Sequence, residues 1–281
     1  MTKDKEKKKM TISIAWVRKV NDSEELVFAS DSRLSFGCRW DCSPKIMALP
    51  RGDAVMSFAG NTMYAYPVMI QAVSAVSQHQ KLMSRGMNLD ELKGHLLRIL
   101  NSMVSLVHDL PKGVASEPDA DFLFGGWSWK ASQFKIWKLH FDATKKRFDF
   151  RPSTPHADWG GKVLAFAGDY RSEFMERLAK IQIERNILTS GGFDMEPFEV
   201  LRDMLRNRSF DAIGGAPQIV KVYKYSTTRP YAVFWPNREA KSVNLLGRPL
   251  LDYEQSDYLV LDPDNLTTIK HVDVDEVNEI S

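Results

Sequence analysis

The residues that decide the fold are T-I-S-I-A-W-V at Thr11–Val17, L-V-F-A-S-D-S-R at Leu26–Arg33, S-P-K-I-M-A-L at Ser43–Leu49 and A-V-M-S-F-A-G-N-T at Ala54–Thr62. Four short apolar runs are punctuated by Thr11, Asp31, Lys45 and the pair Ala59-Gly60. Runs of this length and composition read as buried strands. Polar residues fixed at the strand ends point to a reaction centre.

Outward from this stretch, the polar K-V-N-D-S at 19–23 reads as a hairpin turn between strands at Thr11–Val17 and Glu25–Ser30, and P-R-G-D at 50–53 as the turn between Ser43–Leu49 and Ala54–Ala59. The period then becomes helical over Thr62–Gln80, where Tyr64, Val68, Ala72 and Val76 share one face and Met63, Tyr66, Ile70 and Val73 another; Asn61 or Thr62 supplies a cap. A second helix is expected over Asn88–Leu110, with an acidic first turn and a stripe of Leu92, Leu96, Leu100, Val104 and Val107. Strands return at Asp121–Ser128, Phe134–Phe141, Arg147–Arg151 and Lys162–Ala167. Helices follow at Ser172–Arg185 and Glu196–Arg206, and strands at Gln218–Tyr225 and Tyr231–Trp235. Beyond Pro236 the periodic signal fades, and an acidic run, D-V-D-E-V-N-E, closes the chain. Strand groups alternating with helix pairs imply an α+β protein, a four-layer αββα sandwich of two antiparallel sheets with helices outside. Strands covered on both faces account for the near-continuous apolar runs.

Composition narrows the function classes. With 43% hydrophobic and 26% charged residues in 281, the chain has a globular profile. A net charge of +2 with scattered basic residues argues against nucleic acid as a main partner. No apolar run approaches the about 20 residues of a membrane span. Two cysteines, Cys38 and Cys42, make no disulfide framework and favour a reducing, cytoplasmic setting. The histidines show no metal-ligand spacing, and neither a metal nor another cofactor is expected. The opening M-T-K-D-K-E-K-K-K is a charge run without the apolar core of a signal peptide. It reads as a disordered or removable leader, Met1–Met10, before a domain over 11–235 and an extension over 236–281. Met10-Thr11 also reads as an alternative translation start, since initiator methionine is trimmed ahead of a small residue.

The segment Thr11–Thr62 resembles the N-terminal part of proteasome β-subunits and their bacterial relatives, members of the N-terminal-nucleophile hydrolases. L-V-F-A-S-D-S-R looks most like the Anbu-type branch. Further on, V-L-A-F-A-G-D-Y-R-S-E-F is similar to the family's strand–glycine–helix step, and F-D-A-I-G-G-A-P-Q-I-V-K-V-Y to its Asp-x-x-Ser-Gly-Gly strand entry. These anchors fall in family order across Thr11–Trp235.

The resemblance implies a threonine peptidase working in a homo-oligomer on a peptide or protein substrate, with any unfoldase partner unspecified. Thr11 is then the nucleophile, its own α-amine the base, Lys45 the cation that tunes that amine, Asp31 the carboxylate that holds the lysine, Gly60 an oxyanion donor and Asp211 an auxiliary carboxylate. A hydroxyl is a weak nucleophile without an adjacent base, and an amine with a pKa near about 8 is brought toward working pH by a neighbouring ammonium. The spacings Asp31–Lys45 and Lys45–Gly60 fall within a residue or two of the family pattern; the hairpin at Lys19–Glu24 is longer. Aligning Met10 rather than Thr11 with the first residue removes the nucleophile, and both alignments stay open. The family's two helper serines fall on Ala167 and Gly214, and methionine rather than glycine precedes Thr11. Two other readings therefore stand beside the peptidase: a non-catalytic proteasome-like scaffold subunit, and an amidohydrolase acting on a small amide. Taken singly, each residue has a plainer role: a β-favouring threonine, a turn aspartate, a solvated lysine, a close-packed glycine.

Overall fold

The computed structural model describes residues 11–36, 38–110, 117–189, 191–225 and 227–270. The leader Met1–Met10 and the acidic run near the C-terminus lie outside the described residues.

In chain order the elements are β1 (Ile12–Val20), β2 (Ser23–Ser30), β3 (Leu34–Phe36), β4 (Cys38–Trp40), β5 (Ile46–Ala48), β6 (Ala54–Gly60), α1 (Thr62–Gln78), α2 (Gln80–Met83) and α3 (Leu89–Val104). Then come β7 (Ala120–Ser128), β8 (Gln133–Asp142), β9 (Arg147–Pro152), β10 (Leu164–Gly168), α4 (Arg171–Glu184) and α5 (Glu196–Arg206). The chain continues with β11 (Gln218–Tyr223), β12 (Thr227–Phe234), β13 (Val243–Leu245), β14 (Arg248–Pro249), β15 (Leu259–Leu261) and β16 (Thr268–Lys270).

Alternation along β1 shows how the parts meet. Ile12, Ile14 and Trp16 join a core with Phe174, Leu178, Phe198, Leu201 and Met204 of α4 and α5. Ala15, on the opposite face, joins Leu26, Phe28, Val220 and Val222 of its own sheet with Val55, Ala59, Leu123 and Ile136 of the other. Successive strand side chains point to opposite faces, so one strand serves two cores. The second sheet repeats the pattern: Met56, Phe58, Phe122 and Phe124 pack with Val68, Ala72, Leu92 and Leu96 of α1 and α3.

The larger sheet runs β10-β1-β2-β11-β12-β13-β14, with β15 beside β12 and β16 beside β15; the smaller runs β5-β6-β7-β8-β9. Their pairings are antiparallel with one exception, β12–β15, which is parallel. That departs from the expected all-antiparallel arrangement, and it arises in the segment past Pro236. There the strands are two or three residues long, too short to show a period, yet they extend the larger sheet.

Two of the helices, α1 and α3, carry side-chain start signals. Asn88 accepts hydrogen bonds from the Asp90 and Glu91 amides while Glu91 accepts one from the Asn88 amide, a reciprocal cap on α3. Asn61 caps α1 through the Met63 amide. Two helices stop short of expectation. α1 gives way at Gln78 to the short α2, and Ile70 on its second face is exposed. α3 ends at Val104, so Val107 leaves the stripe and Leu106 stands 71% exposed. After Val104, Ser105, Val107, His108 and Asp109 are weaker helix formers than the leucines among them, and the segment leads into Pro111, which disfavours helix just before it. Sequence reasoning also missed β3 and β4, a small hairpin that begins its second strand at Cys38 and ends shortly before Cys42; both cysteines are free and exposed. Among the described residues no helix is long and apolar enough to cross a membrane.

The early end of α3 can be tested by contrast. Leu96→Ala, in the fully buried stripe, is expected to cost about 2–5 kcal/mol in urea unfolding. Leu106→Ala, past the helix end, is expected to change stability by less than about 0.5 kcal/mol. Equal losses would place Leu106 inside the packed helix after all.

Candidate active site

Five chain segments end at one place. Thr11 immediately precedes β1, Asp31 follows β2, Gly168 ends β10 and Gly60 ends β6, while Lys45 immediately precedes β5. β1 lies between β10 and β2, with Ile12 opposite Gly168 and Ser13 opposite Ser30. Thr11, Asp31 and Gly168 are therefore neighbours at one end of three adjacent strands of the larger sheet; Lys45 reaches them from beside the smaller one, whose Ala59, next to Gly60, abuts Gly168.

Lys45 makes the junction. Its Nζ donates to Thr11 Oγ1 at 2.8 Å and to Asp31 Oδ1 at 2.8 Å. Lys45 and Asp31 are fully buried and Thr11 is 2% exposed. Asp31 Oδ1 also accepts the Ile12 amide at 3.1 Å, and Oδ2 accepts the amides of Arg33 at 3.0 Å and Gly214 at 3.3 Å. All four partners are donors, the pattern that suits an ionised carboxylate. Burial pushes the Asp31 carboxyl up and the Lys45 ammonium down from their ordinary values; the attraction between them opposes both shifts, and the backbone donors further favour the carboxylate.

The space around Thr11 is set by small residues. The Thr11 carbonyl accepts the Asp169 amide at 2.9 Å. A Cβ on Gly168 would fall 1.9 Å from that same oxygen and 3.3 Å from the Ala59 Cβ, and Gly168 has a φ of +110°. No other residue fits there without moving the threonine. Gly60, with a φ of +116°, is equally confined, since its Cβ would lie 2.4 Å from the Asp119 carbonyl oxygen. Ser13 Oγ and Ser57 Oγ meet at 2.7 Å, tying β1 to β6.

The structure thus brings Thr11, Asp31 and Lys45 into direct contact and sets Gly60 at the end of the strand whose Ala59 abuts Gly168. Asp211 is linked through Arg33. Its carboxylate accepts a hydrogen bond from Tyr170 Oη at 3.2 Å, and its carbonyl one from Arg33 Nη1 at 3.0 Å. Ala167 lies buried opposite Ser13. Gly214 lies against the Arg33 guanidinium, and a Cβ there would come within 2.4 Å of Arg33 Cζ.

Sequence reasoning missed two residues. Arg33 forms a two-pronged pair with Asp41 at 2.6 and 2.7 Å and so anchors the end of the β3–β4 hairpin. Gln218 is a buried amide at the head of β11 that bonds to the main chains of Asp31, Ser43 and Lys45. The only hint of it was a lone amide opening an apolar strand, Q-I-V-K-V-Y. Among the described residues, no group of three or more His, Cys, Asp or Glu side chains is placed to hold a metal ion.

Chemically, the arrangement offers a hydroxyl that accepts a hydrogen bond from an ammonium, itself held in place by a buried carboxylate. In the full chain the Thr11 nitrogen is bonded to Met10, so it becomes a basic amine only where that bond is absent.

Comparison with known proteins yields the fold. No family model matches the chain, and a search of curated proteins finds no match in sequence. Among solved structures, "Helical Assembly of the Anbu Complex from Pseudomonas aeruginosa" is similar with a TM-score of 0.56 at 13% identity, over 87% of this chain and 88% of that one. "Anbu (ancestral beta-subunit) from Yersinia bercovieri" is similar with a TM-score of 0.54 at 15% identity, over 78% of this chain and 86% of that one. The chain therefore has a mixed α/β fold with antiparallel sheets, similar to that of Anbu-type proteasome relatives.

Proposed function

We propose that this protein is a threonine-type hydrolase of the N-terminal-nucleophile class, a peptidase whose nucleophile is Thr11 once its α-amine is free. The observation that carries the reading is the shared Lys45 ammonium, 2.8 Å from both Thr11 Oγ1 and Asp31 Oδ1 in a buried setting. In this reading the molecule is an αββα sandwich, helices outside two facing sheets, supported by the cores between the sheets and beneath each helix pair.

The reaction would run as follows. The free α-amine takes the hydroxyl proton as Oγ1 attacks a substrate carbonyl, and the Gly60 amide stabilises the resulting oxyanion. Collapse of that intermediate breaks the C–N bond, the leaving amine takes the proton, and the acyl group stays on Thr11 as an ester. Water activated by the same amine then hydrolyses the ester. Lys45 lowers the proton affinity of the amine and offsets charge developing on Oγ1, while Asp31 keeps the lysine charged and aimed. No bound metal or organic cofactor enters these steps. The substrate class is a peptide or protein, the setting cytoplasmic, and the working form a homo-oligomer. The similarity to a protein described as a helical assembly supports the last of these.

A second reading, a non-catalytic scaffold subunit, is favoured by two observations. Thr11 is nearly inaccessible and bonded to Met10, and Ala167 and Gly214 stand where helper serines were expected. Mass spectrometry of the N-terminus of protein isolated from its native host separates the two: a species beginning at Thr11 supports catalysis, and an intact segment before Thr11 supports the scaffold.

In protein with a free Thr11 terminus, Thr11→Ala is expected to abolish peptide hydrolysis and labelling by a threonine-directed epoxyketone, leaving oligomer size unchanged by gel filtration. Undiminished hydrolysis in that variant would remove Thr11 from the reaction. Lys45→Met is expected to reduce turnover by about 10²–10⁴-fold. It also strands Asp31 in the interior, which should cost about 3–5 kcal/mol in unfolding experiments, largely recovered in the double variant Asp31→Asn/Lys45→Met. With the amine as base, wild-type activity should rise with pH to a midpoint below about 8; a midpoint near the ordinary lysine value would instead make Lys45 the base.

A further inference from the structure

We propose that Gln218 is a positioning residue for this site, its side-chain amide clamping the main chains that carry Asp31 and Lys45 so that the two side chains meet at Thr11. The role in reactivity rests on the threonine-hydrolase reading; the clamp itself rests on geometry. Gln218 Oε1 accepts the Lys45 amide at 2.9 Å, and Nε2 donates to the Asp31 carbonyl at 3.2 Å and the Ser43 carbonyl at 2.7 Å. Asp31 belongs to the larger sheet and Lys45 adjoins the smaller, so their relative placement needs a link between two independent frames. One amide supplies it, bonded to both backbones and itself fixed in register, since Gln218 sits opposite Ser30 at the junction of β11 and β2.

The clamp is sealed by the segment past Pro236. The turn between β13 and β14 holds Gly247 in the left-handed region, φ +95°, where a Cβ would lie 2.5 Å from Ser32 Cβ and 3.3 Å from Gln218 Nε2. Leu246, beside it, packs against the core between the sheets. Gln218 is fully buried, so water does not compete for its three bonds. An apolar residue of equal size would leave the Lys45 N–H and two carbonyls without this partner, a costly arrangement in a dry interior. The sequence spends a buried amide here, and both residues it orients belong to the reacting trio.

The test uses the full chain and two variants. Gln218→Met keeps the volume without the hydrogen-bonding groups; Gln218→Leu, likewise uncharged, removes them on a shorter side chain. The Lys45 side chain is followed by carbon NMR of its ε carbon through a pH titration. Its charged surroundings are Asp31, Arg33 and Asp41. On protein with a free Thr11 terminus, epoxyketone labelling is followed against pH. The clamp predicts folded variants in which Lys45 titrates closer to an ordinary lysine than it does in wild type, because a loosened junction admits water. Labelling should slow by about 10–100-fold, with its pH midpoint raised. Variants that melt earlier yet keep the wild-type Lys45 titration and labelling midpoint would overturn the proposal and leave Gln218 a purely structural amide. Should Gln218→Met not fold, Gln218→Asn, with the amide on a shorter arm, carries the same readouts. Failure of wild type to label at all would instead defeat the hydrolase reading, while the Lys45 titration would still decide whether Gln218 sets the pair.

Discussion

The structure depends at its functional end on one ammonium group held in a dry place between two oxygens. Lys45 Nζ reaches Thr11 Oγ1 and Asp31 Oδ1 at the same distance, 2.8 Å. Burying a charge pair is an expensive way to hold a protein together, because the loss of hydration rivals the attraction gained, and apolar replacements of the same volume are often at least as stable. A lysine so placed is poorly explained as a fastener; in the proposed hydrolase its field acts on the hydroxyl and the nitrogen of Thr11 beside it.

At that junction the two sheets meet through small side chains. Ser13 and Ser57 touch across the gap, Ala59 abuts Gly168, and Ala167 fills the position opposite Ser13. Larger side chains do the packing deeper in, where Phe28, Leu123 and Ile136 separate the sheets. The gradation from small to large along the strands brings β5 and β6 near enough for a lysine arm to cross. It also leaves the two glycines with carbonyl oxygens where a Cβ would need to be. The same small residues that read as weak strand formers in isolation are the ones that set the geometry of the site.

Much of this was legible in the sequence, and the boundary has physical causes. The buried strands and the helices at Leu89–Val104, Arg171–Glu184 and Glu196–Arg206 announced themselves because the apolar period holds over many residues, with a capping box added at Asn88 for the first of these helices. The grouping of Thr11, Asp31 and Lys45 was legible only through resemblance, since nothing in the local pattern says that Lys45 crosses between sheets. Strands β13–β16 were not legible: two or three residues carry no period, and they form because β12 offers them an edge. Gln218 was silent for a related reason. An amide at the head of an apolar strand looks like a turn residue until the main chains of two distant segments are seen to converge on it.

Gly214 shows why a departure from a family pattern is best read together with its neighbours. Where the resemblance implied a serine, the Arg33 guanidinium occupies the space, near enough that even a single carbon at 214 would collide with it. Arg33 in turn donates to the carbonyls of Asp211 and Ile213, grips Asp41 with two bonds, and gives its own amide to Asp31. The Gly214 amide reaches Asp31 as well. The glycine is therefore no simple deletion of a polar group. It is the residue that lets an arginine lie flat against the loop and join the Asp31 turn, the 211–214 loop and the β3–β4 hairpin. In place of the serine that the resemblance implies, the amides of Ile12, Arg33 and Gly214 donate to the Asp31 carboxylate, and the Arg33 guanidinium holds the surrounding loops. The absent serine therefore does not by itself decide against a working site. The accessibility and chemical state of the Thr11 nitrogen carry that decision.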